Sequence, residues 1–160
     1  MSFPWGPRCT TALKKETRHQ WERENDSDYH VMGFTNEEQD RHDRWSEPIP
    51  LLPVLIDADL SKQDCFEELA RHGIKLPEIY LMGFPNANCV GCPKATSPEY
   101  WNLVRRKFPE IFEQRAELSR RLGVRLVRVK GKRIFLDELH PDQKGNKLKI
   151  VQPYQCSLFC

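Results

Sequence analysis

Cys89 and Cys92 face each other across two residues in the segment Asn88-Cys89-Val90-Gly91-Cys92-Pro93-Lys94. Two thiolates at this spacing can bind one ion or cluster without strain, because the intervening turn points both sulfurs inward. The spacing recurs in zinc and iron–sulfur sites. A redox dithiol is the rival chemistry, but that motif sits at a helix start after a strand. Here Pro93 and more loop follow, and helix signals begin only near Ser97. A metal site needs about four ligands. Cys9 is the candidate third, since it opens a helical stretch whose dipole favours a thiolate. The fourth is Cys156, Cys160 or a histidine, although His19, His30, His42, His72 and His140 show no ligand-like spacing. Cys65 falls beside the apolar face of a helix and reads as buried packing. The tail Gln155-Cys156-Ser157-Leu158-Phe159-Cys160 offers a second chemistry, because a cysteine there can swing into a site as a nucleophile. Lys14 and Arg18 near Cys9, and Arg105 and Arg106 one helix beyond the cysteine pair, are candidates to hold an anionic ligand or to balance a negatively charged cluster.

Composition narrows the setting. The chain has 160 residues, which suits one domain. No apolar run approaches the roughly 20 residues of a membrane span, and the first residues lack the apolar stretch of a secretory signal. A cytoplasmic protein is expected, in which six cysteines serve as ligands or nucleophiles rather than as a disulfide scaffold. The net charge of +2 hides an asymmetry: residues 1–93 carry 10 Lys/Arg against 16 Asp/Glu, and residues 94–133 carry 12 against 4. Such a basic segment can attract phosphate or sulfate groups, and nucleic acid is one candidate partner.

The positioning elements follow from local signals. Residues 9–24 read as a helix with Leu13, Thr17 and Trp21 on one face. Residues 29–34 resemble a short strand, and a helix is expected from Thr35 to about Trp45. Prolines 48, 50 and 53 impose an extended segment. Ser61 and Asp64 approximate a capping box for a helix over about 62–72, ended by Gly73. Ser97-Pro98-Glu99 is a strong helix start. That helix runs to about Phe108, and a second, from Pro109, ends before Gly123. Residues 124–129 and 133–136 read as a β-hairpin turning at Lys130-Gly131-Lys132. The expected fold is a helix-rich α/β fragment, with a short strand and a C-terminal hairpin around a cysteine-ligated site. Its single domain, 1–160, comprises a helical and strand region over 9–93, a basic helical pair over 97–123, the hairpin over 124–139 and an irregular tail over 140–160.

The order of these segments resembles the C-terminal half of the sulfonucleotide (PAPS/APS) reductase family, of the adenine nucleotide alpha-hydrolase-like superfamily, in the shorter form found in phages and mobile elements. Arg8-Cys9-Thr10-Thr11-Ala12-Leu13-Lys14 is similar to its first cysteine segment. Met32-Gly33-Phe34-Thr35-Asn36-Glu37-Glu38 through Arg41 is similar to its glycine–arginine–glutamate segment. Pro50-Leu51-Leu52, Asp59 to Ala70, Leu76 to Tyr80 and Met82-Gly83-Phe84 resemble the run leading to its second cysteine motif, Asn88 to Cys92. The tail around Cys156 resembles the one carrying its catalytic cysteine. The resemblance implies a [4Fe–4S] cluster, with zinc as the alternative, three of whose ligands are Cys9, Cys89 and Cys92; it leaves the fourth open, and Cys160 is the candidate for it. It implies that Cys156 attacks the sulfur of a sulfonucleotide, leaving a thiosulfonate that a thioredoxin-like reductant resolves. The chain departs from the family at Thr10, where a second adjacent cysteine is usual, at Phe34 and Thr35, where arginine is usual, and at Phe159, where histidine is usual. It contains no Ser-Gly-Gly-x-Asp-Ser phosphate loop and no other Gly-rich cradle. A partner subunit bearing that loop is therefore implied. The alternative is a non-catalytic Fe–S or zinc module that contacts nucleic acid or protein through its basic segment.

Overall fold

A computed structural model of the protein describes residues 8–26, 28–45, 49–145 and 148. The chain divides into two units, Met1–Cys65 and Phe66–Cys160. Helices dominate both, joined by one short parallel strand pair and one antiparallel hairpin.

In the first unit a helix begins as α1 (Arg8–Thr10), widens into a π turn over Thr11–Lys15 and continues as α2 (Glu16–Glu24). The expected inner face of this helix is corrected: Leu13 is 74% and Trp21 55% exposed. The side that turns inward carries Arg18 and Glu22, because a charge network competes successfully for it. Strand β1 (His30–Val31) pairs in parallel with β2 (Leu51–Leu52), in the register His30↔Leu51. The strand expected over 29–34 is thus only two residues long. A 3₁₀ turn (Asn36–Glu38) and α3 (Gln39–Asp43) follow, then α4 (Val54–Asp57) after Pro53. Thr35 is buried and donates its hydroxyl to Glu37 at 2.7 Å; Glu37 also accepts the Lys62 N–H at 3.1 Å. The start of α5 (Lys62–Arg71) carries the expected reciprocal box: Ser61 N–H reaches Asp64 at 2.8 Å, and Asp64 N–H reaches Ser61 Oγ at 3.1 Å.

In the second unit Phe66 of α5 stacks edge-on against Tyr80 of α6 (Glu78–Leu81), at 4.9 Å between ring centres. The cysteine loop leads into α7 (Pro98–Lys107), whose Ser97 cap accepts the Tyr100 N–H at 3.5 Å. Helix α8 (Pro109–Arg121) ends in a Schellman closure at Gly123 (φ +65°). There Val124 N–H donates to Ser119 C=O and Gly123 N–H to Arg120 C=O. Strands β3 (Val127–Val129) and β4 (Lys132–Ile134) pair antiparallel, shorter than expected. Lys130 and Gly131 both have positive φ, 46° and 83°, which is the type I′ geometry that matches strand twist. Trp101, Val104, Val127 and Leu136 are fully buried at the centre of this unit, with Phe84, Leu103, Phe112, Leu126 and Leu139 around them. The Trp101 indole N–H is satisfied by Ala95 C=O at 2.8 Å, as a buried tryptophan requires. This packing fixes α7 and α8, and these two helices hold the cysteine loop.

Candidate metal centre

The cysteine pair occupies one tight turn. Cys92 N–H donates to Cys89 C=O at 3.2 Å, and Gly91 in the third position has φ +69°, the conformation a type II turn demands there. A second turn follows at once, Ala95 N–H donating to Cys92 C=O at 3.0 Å. No helix starts at the pair, since α7 begins only at Pro98. The helix-start geometry of redox dithiols is therefore not present here.

Two side chains from the flanking helices brace the turn. The Tyr100 hydroxyl accepts the Gly91 N–H at 3.0 Å and donates to Cys89 C=O at 3.3 Å. The Arg115 guanidinium donates Nε–H to Gly91 C=O at 3.1 Å. Gly91 is buried, with no room for a side chain: a Cβ there would meet Ile111 Cγ2 at 2.8 Å. Burial raises the pKa of the Tyr100 phenol, N–H groups of Cys92 and Gly91 partly offset this, and charge at Cys92 and Cys89 adds to the rise. Both sulfurs thus lie within electrostatic reach of one hydroxyl. Cys89 is exposed and Cys92 half-buried. The arrangement is a two-thiol turn braced by a phenol and by a guanidinium bonded to its backbone. Hydrogen bonding and charge of this kind beyond the ligands themselves tune thiolate-bound metals.

The other expected site residues fall as follows. Cys9 is exposed, in α1 of the first unit. Cys156 and Cys160 lie outside the described residues. Among the described residues no group of three or more His, Cys, Asp or Glu side chains could hold a metal ion. Of the four expected ligands, the described residues bring together only Cys89 and Cys92. Cys65 is half-buried on α5, and burial, followed by the charges of Asp64 and Glu37, raises its thiol pKa; a packing role suits it. Of the four candidate anion-binding residues, two have internal partners. Arg18 stands 3.1 Å from Glu22 and over the Trp45 ring. Arg105 donates to Asn102 at 2.9 Å and to Leu139 C=O at 2.7 Å, over the Phe112 ring. Lys14 is exposed, and Arg106 is exposed along a groove shared with Glu99, Asp142 and Lys144.

Spacing alone does not reveal two participants. Tyr100 and Arg115 come from α7 and α8, and only the placement of a tyrosine in the first turn after the loop hints at the first. In the first unit, Glu22 gathers His19 Nδ1 on one oxygen and His30 Nε2 and Arg18 Nε on the other, each at 3.1 Å. His30 also meets Trp45 edge-on at 5.3 Å. The two imidazoles bind the carboxylate rather than a common point, so this is a structural charge network. Compared with protein-family models, curated proteins and solved structures, the chain has no match.

Proposed function

We propose that the protein is an iron–sulfur protein of the sulfonucleotide-reductase type, with Cys89 and Cys92 as two ligands of a [4Fe–4S] cluster. The observation that supports this most is the two-thiol turn itself, preformed around Gly91 and braced by Tyr100 and Arg115. The turn fits half of a four-thiolate site. Cys9 and Cys160 would complete it. When bound, the cluster would supply a redox-active or charge-stabilising centre, tuned by hydrogen bonds and exposure. Arg115 would balance its negative charge. Cys156 would serve as the nucleophile toward a sulfonucleotide bound by a partner carrying the phosphate loop, in the cytoplasm, with a thioredoxin-like thiol completing the cycle.

Anaerobic purification with iron and sulfide tests the site. A brown protein with about four iron atoms per chain is expected, and Cys89→Ser and Cys92→Ser should each lose the colour while Cys65→Ser keeps it. A colourless protein with zinc would replace the cluster by the zinc alternative, and a metal-free protein would end both. Turnover is a separate test: reduction of a sulfonucleotide in the presence of the loop-bearing partner should vanish in Cys156→Ser. Equal turnover by that variant would remove the catalytic assignment.

A further inference from the structure

Some cations of residues 94–133 have partners within the fold, and others, Lys94, Arg106, Lys107 and Arg121 among them, are exposed. On the helices, Arg105 and Arg115 donate to backbone carbonyls, and Arg120 pairs with Asp137 at 2.7 Å and Glu138 at 2.9 Å. On the hairpin, Arg125, Arg128, Lys130, Lys132 and Arg133 are all exposed, and among the described residues none forms an ion pair; Arg133 donates from one guanidinium nitrogen to Arg125 C=O at 3.3 Å and Leu126 C=O at 3.4 Å. Residues 124–136 contain no Asp or Glu. Arg128 and Arg133 are direct cross-strand partners. The Arg128 N–H points away from β4 and donates to Thr96 C=O at 2.9 Å, so the two form a non-hydrogen-bonded pair, with Cα atoms about 4.5 Å apart. Like charges directly opposite destabilise a ladder. Charge on a free edge can prevent strand-to-strand aggregation, and that accounts for Lys132 and Arg133 on β4. It does not account for Arg128, whose strand is already bonded on its other side to Thr96.

We propose that the outer face of this hairpin binds the phosphate backbone of a nucleic acid duplex, through Arg128, Arg133 and Lys130, with Lys132 and Arg125 at its rim. Two arginines paired across the ladder can reach the non-bridging oxygens of phosphates, where arginine pairs bidentately. A duplex is favoured over a single strand because, among the described residues, no free aromatic ring lies on this face. Phe135, the aromatic next to it, is already covered by the guanidiniums of Arg120 and Arg125, at 4.1 and 5.1 Å, and single-strand binding relies on stacking platforms. The surface does not depend on the cysteine site.

Fluorescence anisotropy with a short DNA duplex across a salt series tests it. Binding should weaken steeply with salt, by about 0.9 in log–log slope for each phosphate contacted. The triple variant Arg128→Gln, Lys130→Gln, Arg133→Gln should flatten the slope by about 2 to 3. A charge-matched control, Arg23→Gln, Arg44→Gln, Lys75→Gln, should keep the wild-type slope, as should Cys89→Ser. Lys130→Gln alone, at the turn tip, should lower the slope by about 0.9 and serves if the triple variant does not fold. A hairpin variant with the wild-type slope would overturn the proposal, as would the absence of duplex binding at low salt. Competition by polyglutamate that is insensitive to the hairpin variant would leave the duplex assignment standing; polyglutamate bound by the hairpin as tightly as duplex would overturn it in favour of an acidic protein.

Discussion

Gly91→Ala probes the two-thiol turn most directly. The glycine sits at φ +69°, and an added Cβ would lie 2.8 Å from Ile111 Cγ2 and 3.4 Å from Arg115 Cγ and Nε. The left-handed conformation costs an L-residue about 1–2 kcal/mol. Alanine recovers about 0.4–1 kcal/mol by restricting the unfolded chain. The close contact is harder to relieve. Ile111 is β-branched and lies within α8, where one χ1 rotamer dominates, so its methyl cannot swing aside freely. Overpacking of this kind costs about 1–3 kcal/mol. The expected net loss is about 2–4 kcal/mol. Gly123→Ala is the internal control: its φ is +65°, but open space surrounds it, so about 1 kcal/mol is expected. Urea unfolding of both variants reads the difference. The double variant Gly91→Ala, Ile111→Ala removes the offending methyl and should couple favourably, by about 1–3 kcal/mol. Equal destabilisation by Gly91→Ala and Gly123→Ala, with no coupling to Ile111, would refute the placement of the turn against α8. If the turn holds a metal as proposed, Gly91→Ala should also weaken metal retention by about 10–100-fold.

Tyr100→Phe leaves the buried Gly91 N–H without its acceptor and should cost about 1–3 kcal/mol in urea unfolding. Because burial raises the Tyr100 pKa above its ordinary value of 10.0, the unfolded chain ionises first at alkaline pH; its contribution to stability is intact below 10 and is lost as pH rises through the folded value, a loss that the phenylalanine variant should lack. The Thr35 hydroxyl, with the Lys62 N–H, lowers the Glu37 pKa from 4.5, so that carboxylate contributes stability above 4.5 that fades as pH falls through its lower folded value; Glu37→Gln should flatten this acid limb in melts taken at successive pH values. Trp101→Ala removes a fully buried indole with a satisfied N–H and should cost about 3–5 kcal/mol by the same urea assay. A loss under 1 kcal/mol would contradict the core described around it.

Local signals in the chain translate into structure with little loss. Ser97-Pro98 opens α7, Gly123 closes α8, Ser61 and Asp64 box α5, and Lys130-Gly131 turns the hairpin. Each is decided within a few residues, where backbone hydrogen bonds and φ preferences act without reference to the rest of the fold. What was not legible is nonlocal. Leu51 and Leu52 look merely extended between prolines, and nothing nearby announces their parallel pairing with His30 and Val31. The helix over 9–24 turns its charged side inward because Glu22 finds His30, a partner beyond the helix and its own periodicity. The cysteine spacing marked two candidate ligands, but the groups that brace their turn lie 11 and 24 residues from the atoms they bind.

The same distinction governs charge. A run of arginines is a property of sequence, and its meaning depends on what each guanidinium can reach. Long, flexible side chains on a helix can fold along their own surface to a carbonyl or carboxylate of the next element, as Arg105, Arg115 and Arg120 do. A β-ladder allows some of this too, since Arg133 donates to Arg125 and Leu126 C=O at 3.3 and 3.4 Å. Its pleat sends residues on one face straight outward, and the register then fixes their neighbours. Arg128 and Arg133 are therefore placed together by backbone pairing, whatever their charges prefer. An anion from outside would relieve their repulsion further. On α7 and α8, Arg106, Lys107 and Arg121 are exposed as well, so the outward charge of the basic segment is shared; what sets the hairpin apart is the cross-strand pairing of Arg128 with Arg133.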